Sequence, residues 1–216
     1  MKKMNIYLLN DTTVKRAKNL PLFKLEHLKS DVDLSAYDAL VFTSKNAVFA
    51  LHSFNSAWKK VPAYAIAPQT AKTIKKLGGN LKFVGVKKHG NAFGYELIQE
   101  LQGKKVLYVR GKKVVSDIVS ILKEGGVSCA EMIVYENICD PEPKIQKLPK
   151  NSYIVFSSPS AIACFLEHYP WQKSYRAICI GETTAKHLPP EIKPHIADTT
   201  SIEACINKAV ELELCR

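Results

Sequence analysis

Two short stretches of the chain repeat in one register and carry the residues best placed for chemistry. "VFTSKNAVFAL" (41–51) and "VFSSPSAIACF" (155–165) align at an offset of 114 residues, placing Ser44 on Ser158 and Ala47 on Ala161. At the same offset "AYAIAPQTAK" (63–72) falls on "AICIGETTAK" (177–186), matching Thr70 to Thr184 and Lys72 to Lys186. Each stretch is a β-type apolar run followed by hydroxyl residues where helical spacing begins. A Ser or Thr there caps a helix, and the unpaired N–H groups and dipole of that helix end favour an anion. The chemistry implied is noncovalent recognition of a negatively charged ligand at several points. Capping alone is the competing reading for any one position, but the paired recurrence argues for more.

Other chemistries find less support. Glu96 and Glu100 lie one helical turn apart, a spacing usual on a solvated face. "GNAFG" (90–94) lacks the glycine spacing and downstream acid of a dinucleotide fingerprint, and neither a P-loop nor a nucleophile elbow is present. The six cysteines, Cys129, Cys139, Cys164, Cys179, Cys205 and Cys215, form no CxxC and mostly sit in apolar runs, so they are expected to be reduced core thiols. The six histidines are dispersed without an HxxxH pair, and no metal centre is expected.

Charge is the main compositional signal. The net charge is +11, with 15 basic against 8 acidic residues over 30–135 and 16 against 12 in the rest, so both halves are basic. Solubility and the steering of an acidic ligand both account for it. Nucleic-acid binding is a weaker reading, because the lysines are scattered and no recognised motif accompanies them. The apolar run "MNIYLL" (4–9) is short for a signal peptide, and no run approaches the roughly 20 apolar residues of a membrane span. A cytoplasmic protein is expected.

The elements that must position these residues alternate along the chain. Strand patterns are expected at 4–9, 39–43, 63–67, 81–85, 105–109, 130–136, 153–157, 175–180 and 194–197. Helical spacing lies between many of them, in "NAVFALHSF", "QTAKTIKKL", "YELIQEL", "VVSDIVSILK", "SAIACFLEHY" and "SIEACINKAVELE". Such alternation implies an α/β fold of parallel sheets flanked by helices. With the repeat, it predicts two similar lobes joined by two adjacent extended linker strands. One lobe is discontinuous, from residues 1–20 and 139–216, because the later half shows only three clear strands of its own and would gain the first. The other runs continuously over 30–134, with 21–29 and 135–138 as linkers.

On "YDALVFTSKNAV", "YVRGKK" with its following helix and "GGVSCAEMIVYEN", "IVFSSPSAI" and "AICIGETTAKHL", in that order, nearly the whole chain resembles the uroporphyrinogen-III synthase family. There are departures. The segment after the first strand, "NDTTVKRAKN", is short, so a helix usual there is expected to be reduced or missing, and Lys45 replaces the proline of a common "TSP".

The resemblance implies a cyclising lyase of heme and tetrapyrrole biosynthesis. Such an enzyme closes hydroxymethylbilane to uroporphyrinogen III with inversion of ring D and loss of water, through a spirocyclic intermediate and without cofactor or metal. Its substrate, a polyanion of acetate and propionate groups, would lie in the cleft between lobes. The resemblance further places Tyr135 as the catalytic candidate, donating a proton or hydrogen bond to the leaving hydroxyl. Thr70 and Thr184 with Ser44 and Ser158 would bind carboxylates, aided by Thr43, Asn46, Ser160 and Thr183, with Arg110 and Lys112 as charge partners. A monomer acting without nucleic acid or membrane is expected. The alternative is a non-catalytic two-lobed protein that binds a small polyanion or nucleotide.

Overall fold

The computed structural model describes residues 4–9, 13–86 and 90–215. Strand β1 (Ile6–Leu8) is a wholly buried apolar run, and β2 (Lys18–Asn19) pairs with it in parallel. An extended segment, β3 (Phe23–His27), follows. Then β4 (Ala39–Phe42) leads into α1 (Lys45–Phe54), and β5 (Ala63–Ala65) leads into α2 (Pro68–Lys76). Next come β6 (Leu81–Val84), α3 (Gly90–Glu100), β7 (Lys105–Gly111), α4 (Ile118–Glu124) and the long β8 (Ser128–Cys139). The remainder comprises β9 (Tyr153–Phe156), α5 (Pro159–His168), β10 (Arg176–Cys179), α6 (Glu182–Ala185), β11 (Pro194–Ile196) and α7 (Ile202–Leu214).

Local chemistry sets many of these boundaries. Pro68 and Pro159 stand in the first turns of α2 and α5, where their missing N–H costs nothing. Gly78 and Gly126, after α2 and α4, take φ of 78° and 79°, the left-handed turn that ends a helix. Where a helix usually follows the first strand, described residues 13–20 hold only a turn and β2. The helix expected over 114–123 begins at Ile118.

Two compact units result, one formed by Met1–Lys24 with Asn137–Arg216 and the other by Leu25–Glu136. The discontinuous unit holds a parallel sheet in the order β11-β10-β9-β1-β2. The continuous unit is built on the order β3-β8-β7-β4-β5-β6, parallel from β8 to β6. The chain passes between units within β3 and again within β8, which are neighbours in that order. Leu28 N–H donates to the Val134 carbonyl at 2.8 Å and Asp140 N–H to that of Leu22 at 2.9 Å, so this pair is antiparallel.

Each sheet separates two apolar layers, because successive strand residues face opposite sides. In β9, Ile154 and Phe156 join α5 residues Ala161 and Phe165 on one face, while Tyr153 and Val155 join α7 residues Cys205 and Ile206 on the other. In the continuous unit, Leu40 and Phe42 pack with α1 and Trp58, whereas Ala39 and Val41 face Phe93 and Leu97 of α3. Burying one such large side chain contributes about 1.5–3 kcal/mol, so the doubly covered strands anchor the sheets. No helix among the described residues is long and apolar enough to cross a membrane.

The cysteines depart from expectation. Cys139 and Cys164 are joined by a disulfide, while Cys129, Cys179 and Cys205 are buried free thiols and Cys215 is free and exposed. The reason is tertiary: the end of β8 lies against α5 with the two Cα atoms 5.5 Å apart, within bridging reach.

Candidate functional site

In an open parallel sheet, ligands settle beyond the carboxyl ends of strands where the strand order reverses. In the continuous unit, successive strands run outward from β4 to β5 and β6 on one side, and from β7 to β8 on the other. The reversal therefore lies between β4 and β7, whose ends meet at Phe42 opposite Val109. Thr43 and Ser44 follow the first strand, and Arg110, Gly111 and Lys112 close the second.

Ser44 caps α1, its Oγ accepting from Asn46 N–H at 3.1 Å. Thr43 Oγ1 lies 2.9 Å from the Tyr108 hydroxyl, bridging the two strands at the reversal. Tyr108, which the motif reading passed over, is buried, and burial pushes its phenol above the ordinary 10.0. Hydrogen bonds with Thr43 and Ser116 and the Arg110 charge oppose that rise, and Tyr135 adds to it. A neutral Tyr108 is thus held among Thr43, Ser116 and Tyr135. The available signal was its place in an apolar strand two residues before "RG", where strand ends carry ligand groups.

Tyr135 reaches this strand end through an irregularity. β7 and β8 pair Arg110 with Ile133 but Gly111 with Tyr135, so Val134 is an extra residue and β8 bulges. Bulges re-aim the next side chain, and here the half-buried Tyr135 ring lies over Gly111. A Cβ at Gly111 would lie 2.6 Å from Tyr135 Cζ and 2.9 Å from its hydroxyl oxygen, so any side chain there would displace the ring from this position.

Arg110 and Lys112 are already engaged. Arg110 Nε donates to Glu131 Oε2 at 2.7 Å, and one of its terminal nitrogens donates to the Gly111 and Lys112 carbonyls. That hydrogen bond, with burial opposing it, holds the Glu131 carboxyl below its usual range. Lys112 Nζ lies 2.7 Å from Glu136 Oε2. Arg110 thus shapes the end of β7, and both cations carry a carboxylate partner.

One strand further out, α2 begins at Ala67 without a side-chain cap, and Thr70 is only 4% exposed. In the discontinuous unit the reversal lies between β1 and β9. Ser158, after β9, caps α5 by accepting from Ala161 N–H at 3.2 Å and lies 3.0 Å from Ser160 Oγ. Beside it, α6 begins at Gly181, with Thr184 again 4% exposed. Thr183 is exposed, and its carbonyl lies 2.9 Å from His187 Nδ1.

Among the described residues, no buried side-chain nitrogen or oxygen lacks a hydrogen-bond partner. Among the described residues the Thr70 and Thr184 hydroxyls have no hydrogen-bond partner, so each must keep an opening to solvent. Two nearly buried threonines, each with a free hydroxyl in the first turn of a helix, form the clearest feature the units share. It suits a carboxylate, which accepts from hydroxyl and backbone N–H together.

Two other features lie apart from these residues. A depression lined by Lys29, Asp31, Asp33 and Asn55 contains none of the candidates. Cys139, Cys164 and His168 are the only trio among the described residues whose potential metal-ligating atoms converge, within 4.8 Å. Sulfurs bonded to each other carry no thiolate charge, and the thiolate is the metal ligand.

Comparison with known proteins agrees on one family. The profile described as "Uroporphyrinogen-III synthase HemD" matches residues 16–207. A protein named uroporphyrinogen-III synthase from Chlorobaculum parvum is 25% identical over 202 residues, covering 83% of this chain and 82% of its own. The crystal structure of uroporphyrinogen-III synthetase from Helicobacter pylori is similar at 31% identity with a TM-score of 0.66, over 97% of this chain and 99% of that one. With parallel sheets, doubly covered strands and a profile match across most of its length, the chain belongs to the uroporphyrinogen-III synthase family.

Proposed function

We propose that this protein is a uroporphyrinogen-III synthase that closes hydroxymethylbilane to uroporphyrinogen III, expelling the terminal hydroxyl as water and inverting ring D. The observation that carries this reading is the family match over residues 16–207. Supporting it are the net charge of +11 and the hydroxyl-bearing helix starts in each unit, which suit a substrate bearing a carboxylate on every side chain. The protein works as a cytoplasmic monomer without cofactor, with functional lobes at 1–20 with 139–216 and at 30–134, linked by 21–29 and 135–138.

Selectivity is the enzyme's task, since the unassisted chain closes without inversion. Each 1.36 kcal/mol of differential transition-state stabilisation shifts the isomer ratio about tenfold, so a few fixed contacts suffice. Ser44, Thr70, Ser158 and Thr184, with Thr43, Asn46, Ser160 and Thr183, hold the carboxylates. Arg110 and Lys112 add positive charge from within their ion pairs. Tyr135 donates a hydrogen bond to the departing hydroxyl, lowering the barrier to its loss as water. The held carboxylates fold ring D against the carbon that loses the hydroxyl, which is orientation work.

Incubation with freshly generated hydroxymethylbilane, followed by separation of the porphyrinogen isomers, tests the reading. Predominantly type III product is expected. The type I product of a protein-free control would leave only a polyanion-binding protein.

A further inference from the structure

We propose that Cys139 and Cys164 form a thiol–disulfide exchange site, at which Cys139 reacts with a low-molecular-weight disulfide and Cys164 resolves the adduct. The two cysteines come from different elements. Cys139 is the last residue of β8 and partly exposed, while Cys164 lies on α5 and is 1% exposed. One turn beyond Cys164 on the same helix stands His168, whose Nε2 is 3.4 Å from Cys139 Sγ. An imidazole at that distance stabilises a thiolate when protonated and takes up the thiol proton when neutral. On the other side, Cys164 Sγ lies 3.2 Å from the Leu22 carbonyl, an acceptor for its S–H once the bond is reduced.

The other cysteines lack this combination. Burial pushes Cys129 and Cys205 up to about 11 and Cys179 to about 12, leaving them as unreactive core thiols. Cys215 is exposed but unpaired.

The exchange balances in two steps. Cys139 thiolate attacks one sulfur of a disulfide such as oxidised glutathione, forming a mixed disulfide and releasing one thiolate. Cys164, its proton passing to solvent, then attacks the Cys139 sulfur and releases the second. Two protein thiols are oxidised and one external disulfide is reduced to two thiols. Excess thiol reverses the sequence by attacking the more accessible Cys139 sulfur.

Fully reduced protein, freed of reductant, is exposed to oxidised glutathione, alkylated and mapped by mass spectrometry. A Cys139–Cys164 bond is expected, with Cys129, Cys179 and Cys205 recovered as alkylated thiols after unfolding. In Cys164→Ser, whose circular dichroism establishes that it is folded, a glutathione adduct should accumulate on Cys139. His168→Gln should slow bond formation about tenfold. Finding Cys139 and Cys164 still alkylatable under conditions that modify Cys215 would overturn the proposal, and the wild-type chain alone decides this. No adduct on Cys139 in folded Cys164→Ser would overturn the assigned order of attack, and an unchanged rate in His168→Gln the role of that residue.

Discussion

The junctions β5–α2 and β10–α6 start alike and then part. Ala67 and Gly181 are both extended N-caps without a side-chain bond, and Thr70 and Thr184 sit three residues on with 4% exposure each. Yet α2 runs nine residues while α6 runs four. The difference lies downstream, where "TIKKL" continues one helix and "HLPPE" interrupts the other. Pro189 and Pro190 offer no N–H to the carbonyls four residues earlier, Ala185 and Lys186, and their rings clash there. Charge diverges too, since Glu182 occupies the place of Pro68. A first-turn Glu stabilises its own helix but repels an anionic ligand. A repeated register thus preserves the hydroxyl position while the charge beside it differs.

The units differ most in covalent constraint, and breaking it should have the largest effect. Reduction of Cys139–Cys164, separated by 25 residues, should destabilise the discontinuous unit by about 3 kcal/mol. Hydrogen exchange reads this as lost protection in β9 and α5 with β4 and α1 unchanged, and equal loss in both units would erase the contrast. Next, Thr70→Val, which keeps volume but removes the hydroxyl, should raise KM about tenfold, the scale of one hydrogen bond to a charged group. Thr184→Val should raise it only about threefold, and a reversed order would mean that the shorter helix holds the stronger site. Tyr135→Phe should lower kcat roughly fivefold with KM and circular dichroism unchanged, as for one neutral hydrogen bond. Smallest of all, Glu182→Gln should reduce KM about twofold at low ionic strength and by less in salt. No change at low salt would show that Glu182 does not face the substrate's charge.

Part of this was readable beforehand. Apolar runs such as "ALVFT" and "YIVFS" are buried on both faces, and their β-branched and aromatic content marks central parallel strands. Ser44 and Ser158 stand between a strand and a helix period, so capping followed from position alone. α6 was less legible, because "GETT" begins a helix as well as "APQT" does and only the later prolines shorten it. Arg110 offered no sign in sequence of its engagement: β7 pairs with β8 so that Tyr108 faces Glu131, placing that carboxylate diagonally from Arg110. Tyr108 and Thr43 meet for a like reason, through the pairing of β4 with β7.

What the sequence determined by itself was periodic and local: the alternation of elements, the helix caps, and one register of hydroxyls used twice. These depend on neighbours a few residues apart, whose spacing is written in the chain. The tertiary structure alone decided that Cys139 meets Cys164, that Arg110 meets Glu131, and that a bulge turns Tyr135 onto Gly111. Each joins residues whose distance depends on sheet order and helix packing, quantities that no short-range pattern encodes.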